Sequence, residues 1–320
     1  MTRTSTEAPD LVPAMFSGKS ASGAASEASA GGRTMSTSSA GPVVLITGVS
    51  SGIGEAIAED LLGRGYHVLG SIRRPGDAVQ LQRKWPDAFQ PLVFDVTDAV
   101  AIAAAVEQVQ AILGGRTLKA LINNAGINLG GPLMHQPLAE VRRVFEVNVF
   151  GLLAVTQAFL PCLGASRGRA GPAGRVVNIG SVSGAITVPF LGAYSGSKHA
   201  VEALTQGLRR ELSLYGIEVV AIEPGMVRSR LGEKRMAERA ETRYAQTDYV
   251  PWLEQFDRSI QAQEKTAPPA DKVTAAVRHA IESPKPRTRY PLDRIWMVGR
   301  ILPDRAFDNL IFKALGLQRR

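Results

Sequence analysis

"VVLITGVSSGIGEAIAEDLL", residues 43–62, changes hydrophobic period partway along. Val43 to Ile46 form an unbroken apolar run, the mark of a strand covered on both faces. Apolar residues then recur at Ile53, Ile57 and Leu61, the spacing of one helix face. Gly48, Gly52 and Gly54 lie at the change of period. Glycine permits a tight turn and close backbone approach, so the first turn of the helix can face an anionic pyrophosphate. Glycine spacing alone is weak; strand, turn and helix in this order make the stretch a dinucleotide-binding candidate. Thr47, Ser50, Ser51 and Ile53 belong to the same candidate turn.

Outward from this unit, short β-branched runs alternate with longer helical patterns. Strands are expected at 43–48, 66–72, 90–95, 118–123, 174–180, 216–222 and 287–291, with helices beginning near 52, 76, 98, 136, 193 and 270. The pattern predicts an α/β fold: a single Rossmann-fold domain over 43–290, with a doubly wound seven-stranded parallel sheet and helices on both faces. A Gly-rich loop, "GASRGRAGPAG", leads into the fifth strand. Residues 228–268, which include Tyr244, Tyr249, Trp252 and Phe256, form a long insertion read as a lid.

The 320 residues, 45% hydrophobic, suffice for a sizeable core. The single cysteine, Cys162, excludes an intrachain disulfide, and His67, His135, His199 and His279 lack the spacing of a metal site; no metal is expected. Residues 1–42 are rich in Ser, Ala, Gly and Thr and are expected to be disordered, with Met35 an alternative start. No apolar run reaches membrane-span length, and a cytoplasmic location is expected. The net charge of +8 is concentrated at the C-terminus, where residues 284–320 hold nine Lys or Arg against three Asp.

At the end of the second strand, "VLGSIRRP" has no acidic residue for a ribose 2′-hydroxyl. Arg73 and Arg74 stand there instead, and a guanidinium fork matches a 2′-phosphate, so NADP(H) is expected in preference to NAD(H). A pair of solvated arginines is the plainer alternative. Asp95 in "FDVTD", followed by Val96, is a candidate acceptor for an adenine amine, and "LINNAG" brings Asn124, Ala125 and Gly126 to the end of the fourth strand. Such residues at strand ends are often only turn formers.

Taken in order, "TGVSSGIG" (47–54), "NNAG" (123–126), Ser181 and "YSGSK" (194–198) resemble the short-chain dehydrogenase/reductase family over most of 43–290. The resemblance implies a catalytic tetrad of Asn148, Ser181, Tyr194 and Lys198, with Tyr194, Lys198, Pro224, Gly225, Val227 and Ser229 beside the cofactor and Lys198 reaching its nicotinamide ribose. It also implies that Asn148 holds a water linking Lys198 to solvent. Gly180 stands where the family often has serine, and Ser229 where it often has threonine. His199 is given no role.

Tyr194 and Lys198 are four residues apart on one helix face, so the ammonium is expected to lower the phenol pKa from about 10 toward neutrality. Tyr194 then acts as acid or base while Ser181 hydrogen-bonds the substrate oxygen. Individually, each residue has an ordinary structural reading; jointly, they point to alcohol–carbonyl interconversion. The competing reading is an NADP(H)-binding regulator without turnover.

The lid aromatics, with Val188, Phe190 and Leu191, suggest a hydrophobic small-molecule substrate, or merely a lid packed on the sheet. Residues 291–320 predict a basic amphipathic helical extension with Phe307, Leu310, Ile311, Ala314 and Leu315 on one face. Packing on the body or a second subunit is the first reading, contact with an anionic membrane the second. No nucleic-acid partner is expected. The extension and "GSIRRPGD" resemble the branch holding retinol and 17β-hydroxysteroid dehydrogenases and their bacterial relatives. The helices at 136–162 and 193–214 resemble subunit-pairing helices, implying a homodimer or homotetramer. Leu204, Leu208 and Leu212 are a stripe for that contact or for the sheet.

Overall fold

The computed structural model describes residues 41–166, 172–227 and 243–317. Seven strands, β1 (Val43–Ile46), β2 (His67–Ile72), β3 (Phe89–Val93), β4 (Ala120–Asn123), β5 (Arg175–Ile179), β6 (Glu218–Glu223) and β7 (Arg289–Pro291), form one sheet in the order β3-β2-β1-β4-β5-β6-β7. All six pairings are parallel. The chain reverses its direction of winding between β1 and β4, where ligands bind in open sheets of this kind.

Alternation along each strand serves two helical layers. Val44 and Ile46 enter one core with Ile57 and Leu61 of α1 (Gly52–Leu62), and Leu81 of α2 (Val79–Lys84). Val43 and Leu45 enter the other with Ile102 and Val109 of α3 (Ala99–Leu113). The Asp98 carboxylate starts α3 by accepting from Val100 N and Ala101 N, both at 3.0 Å. Gly114 ends that helix with φ at 54°.

The helix expected from 136 is interrupted. α4 (Leu138–Phe145) passes into a π-helical segment, Glu146–Gly151, before α5 (Leu152–Phe159). Such segments recur at functional sites, and this one contains Asn148. α6 (Gly192–Leu212) follows β5 and carries Tyr194 and Lys198. Its Leu208 and Leu212 are buried in the second core, so two residues of the proposed pairing stripe face the sheet.

Beyond β6, the part of the lid at 228–242 lies outside the described residues, as do residues 1–40 of the N-terminal tail. The rest of the lid is ordered about a helix that the insertion reading missed, α7 (Val250–Thr266). Leu253, Phe256 and Ile260 recur on its inner face. α8 (Asp271–Glu282) then joins the first core, and the chain ends in α9 (Ile295–Ile301) and α10 (Asp304–Leu315). α10 packs on the body: Phe307, Ile311 and Leu315 join Leu253 and Phe256 in a third cluster, while Leu310 is turned outward.

Candidate active site

One cleft of about 1070 Å³ runs along the C-terminal ends of the strands. At the switch between β1 and β4, its floor is the glycine turn. Gly48 and Gly52 have φ of 72° and 65°, and a Cβ on Gly54 would lie 2.2 Å from the Gly48 carbonyl oxygen. Three ties fix the turn. Gly48 N donates to Ser71 Oγ at 2.9 Å; Asn124 N and Ala125 N donate to Thr47 Oγ1; Asn124 Nδ2 donates to the carbonyls of Thr47 and Gly48. Gly48, Ser50, Ser51, Gly52 and Ile53 face the cleft. Thr47 and Gly54 stand behind them and hold the turn. Any side chain at Gly54 would fill this close approach of helix to turn, so the residues fit a pyrophosphate at the helix N-terminus.

The two arginines separate. Arg73 lines the cleft, whereas Arg74 is paired with Asp77, Nε to Oδ1 at 3.2 Å. Asp95 and Val96 also line it. Asp95 Oδ1 accepts from Thr97 N and Thr97 Oγ1, and its Oδ2 lies 3.8 Å from Arg143, a cleft residue that the motifs did not indicate. Burial raises the Asp95 pKa, but the Thr97 hydrogen bonds with Arg143 and Arg73 outweigh it and hold the carboxyl below its ordinary value. The carboxylate is therefore charged and already partnered.

At the far end of β5 the cleft gathers Ser181, Tyr194 and Lys198, with Asn124, Ala125 and Gly126 beside the glycine turn. The Ser181 hydroxyl hydrogen-bonds the Tyr194 phenol and also accepts from Ser183 N at 3.1 Å. Lys198 is 7% exposed; its Nζ donates to the Ile179 carbonyl at 2.9 Å and stands 5.8 Å from the centroid of the Tyr194 ring. Burial lowers the ammonium to about 8.

Tyr194 keeps part of its surface open, yet enough protein encloses it that burial raises the phenol, opposed by the Ser181 hydrogen bond. The lowering of the phenol expected from Lys198 is not found in this geometry. The ammonium donates to the Ile179 carbonyl and stands over the face of the Tyr194 ring.

Asn148 is 1% exposed and behind the wall. Its Oδ1 accepts from Ile127 N at 2.8 Å, and its Nδ2 donates to the Ile127 carbonyl and to Ser197 Oγ. The π-helical segment thus ties the loop after β4 to α6. A further buried network, Asn123 to Thr156 and Asn178, then Asn178 to Thr205, joins β4 and β5 to α5 and α6. Sequence reading passed over it because asparagine inside a strand resembles a turn former.

After β6, Gly225 and Val227 line the cleft, and Pro224 accepts a backbone bond from Val182 N at 2.9 Å. Ser229 lies outside the described residues. Glu223, also missed, is buried beneath this loop. Its Oε1 accepts from Trp296 Nε1 at 2.9 Å, and Arg289 reaches it only at 3.5 Å because that guanidinium is held more closely by Glu202. Burial pushes Glu223 up to about 7 against the Trp296 bond and the nearby Arg300. Farther along, Val188, Phe190, Phe256, Ile260, Ile311 and Leu315 give the cleft an apolar wall, which Asp257, Gln261 and Glu264 of α7 interrupt.

A family model described as short chain dehydrogenase matches residues 42–240. The chain is 42% identical over 275 residues to the NADPH-dependent 3-dehydrocapnine reductase of Ornithobacterium rhinotracheale, covering 85% of this chain and 96% of that protein. It is 34% identical over 256 residues to retinol dehydrogenase 7 of Mus musculus, covering 77% and 79%. Among solved structures, a short-chain dehydrogenase from Streptomyces avermitilis superposes with a TM-score of 0.66 at 30% identity, covering 85% of this chain and 94% of that one.

Proposed function

The chain belongs to the short-chain dehydrogenase family of oxidoreductases, and we propose that it is an NADP(H)-dependent member interconverting a lipophilic alcohol and its ketone or aldehyde. One observation carries the reading. The Ser181 hydroxyl meets the Tyr194 phenol next to a buried ammonium, in the same cleft as the glycine turn.

Gly48, Ser50, Ser51, Gly52 and Ile53 hold the dinucleotide's pyrophosphate, Arg73 its 2′-phosphate, Asp95 and Val96 its adenine, and Asn124, Ala125, Gly126, Gly225 and Val227 its remaining length. When bound, the dinucleotide supplies or accepts the hydride. In reduction, Tyr194 Oη gives its proton to the carbonyl oxygen. Ser181 hydrogen-bonds that oxygen as negative charge grows, and Lys198 keeps a positive charge beside the phenol as it becomes phenolate. In oxidation, the same phenol oxygen takes the proton from the alcohol. A phenol raised by burial is a willing donor only while that ammonium stays charged.

Arg73 supports NADP(H), as does the printed NADPH dependence of the Ornithobacterium rhinotracheale relative. The apolar wall supports a lipophilic substrate, in keeping with the retinol dehydrogenase relatives. Among the described residues, no helix is long and apolar enough to cross a membrane. Exposed Ile301 and Leu302 between Arg300 and Arg305 favour a second contact of the C-terminal helices, with an anionic membrane surface. Phe150, 55% exposed between α4 and α5, supports pairing of two subunits through that region.

The test is NADPH consumption with a panel of retinals, steroid ketones and long-chain and short ketones, repeated with NADH and with Tyr194→Phe. The reading requires turnover that prefers NADPH and is lost in the variant. NADPH binding with no turnover of any carbonyl, or of the alcohols with NADP, would transfer the site to the regulator reading.

A further inference from the structure

Among the described residues, Phe190 is the one non-glycine residue with positive φ, at 68°. A side chain with a Cβ adopts that left-handed conformation only when its surroundings enforce it, and such residues gather at functional sites. The enforcing contacts are visible. Phe190 O accepts from Gly131 N at 2.7 Å, fixing the peptide against the loop after β4. Its ring meets Phe256 and Tyr249 edge-on, with centroids 5.3 and 6.1 Å apart. Those two aromatics come from α7 and the turn before it, so the lid helix holds the ring in place.

The position is as informative as the strain. Phe190 is four residues before Tyr194, ahead of the first turn of α6, and it is both 8% exposed and part of the cleft wall. Ser181 and Tyr194 line the same cleft. To it α7 and α10 supply Leu253, Phe256, Ile260, Ile311, Ala314 and Leu315, an apolar stripe beside the polar Asp257, Gln261 and Glu264 of α7. A wall built from two helices over several turns suits an extended apolar chain better than a compact one.

We infer that Phe190 is a specificity-determining residue: its enforced conformation sets its ring between the reacting end and an apolar channel, so that the enzyme selects carbonyl compounds bearing a long alkyl or polyene chain. This rests on the proposed alcohol–carbonyl chemistry. The ring contacts the chain, and the backbone turn beneath it fixes where the chain begins relative to Tyr194.

The experiment uses the full-length protein and a series of unbranched methyl ketones of increasing length, with wild type, Phe190→Ala and Phe190→Gly. Glycine accepts φ of 68° without strain, so it removes the ring and leaves the turn; alanine removes the ring and keeps the strain. Each protein is assayed for kcat/KM with NADPH. Chain binding is followed separately by tryptophan emission, since Trp252 packs in the same cluster.

The expected result is a wild-type preference that rises with chain length, and a fall of about tenfold in the long-to-short kcat/KM ratio in both variants, carried by KM. Retention of the wild-type ratio by Phe190→Gly would overturn the inference, because the ring would then not be read. A wild type that binds long ketones tightly but turns none over would remove the chemistry while leaving the channel standing. Equal emission changes for long and short ketones in all three proteins would remove the channel.

Discussion

Lys198 Nζ stands 5.8 Å from the centroid of the Tyr194 ring and donates to the Ile179 carbonyl at the end of β5, not to the phenol oxygen. The ammonium is therefore a fixed charge held to the sheet, and its effect on the phenol is electrostatic. Because burial already lowers Lys198 to about 8, its charge is lost in mildly alkaline solution. We expect kcat for carbonyl reduction to fall as pH rises through about 8. Lys198→Met should remove this limb and lower kcat by about 100-fold or more at neutral pH, with NADPH still bound. A pH–rate profile of both proteins checks it; an unchanged alkaline limb in the variant would assign the limb to another group.

The two arginines after β2 make a paired prediction. Arg73 lines the cleft, whereas Arg74 is occupied by Asp77. Loss of a charge-assisted contact to a 2′-phosphate costs about 2 kcal/mol, or roughly 30-fold in affinity. Arg73→Ala should raise KM for NADPH by that order and leave KM for NADH nearly unmoved, while Arg74→Ala should change both less than about twofold. Initial-rate kinetics with the two cofactors separate these outcomes, and equal effects of the two substitutions would refute the division of labour.

The buried amide network offers a test in stability. Asn178 Nδ2 donates to Thr205 Oγ1 at 2.8 Å and its Oδ1 accepts from Asn123 at 2.9 Å, all out of solvent. Asn178→Ala deprives both neighbours at once and should cost roughly 2–3 kcal/mol. The reading is a lower urea midpoint at unchanged slope. A loss under about 0.5 kcal/mol would mean that the neighbours find other partners.

Much of this was legible in the sequence, for a reason visible in the fold. Strand and helix periods follow from which faces are covered, and β1, β2, β4, β5 and β6 are covered on both, so their apolar runs stand out, whereas the edge strands β3 and β7 are partly open. The glycine turn and the Tyr194–Lys198 pair were legible because chemistry fixes their spacing within single elements, and Ser181 through its place in the order of the motifs. Arg143, Glu223 and Trp296 were not. They act in pairs drawn from elements far apart in the chain, such as Glu223 at the end of β6 with Trp296 in α9, and no local period marks such a pair. α7 carried a signal in the spacing of Leu253, Phe256 and Ile260, which the length of the insertion obscured. The π-helical turn around Asn148 differs from an α-helix by a single residue of register, which apolar periodicity does not resolve.

Glu223 supplies the last prediction, in the dependence of stability on pH. Burial raises its carboxyl to about 7, whereas in the unfolded chain it titrates near 4.3. Between those values the folded protein binds a proton that the unfolded chain has released, so stability falls as pH rises from the ordinary carboxylate range through about 7. Above that range the folded state carries a buried charge, partly offset by Trp296 Nε1 and Arg289. Glu223→Gln keeps an oxygen for the Trp296 bond and removes the charge. It should therefore flatten the fall in melting temperature between pH 5 and pH 8, and at pH 8 the variant should melt no lower than wild type. Parallel slopes for the two proteins would show that Arg289 holds Glu223 ionised throughout, and that the pH dependence arises elsewhere.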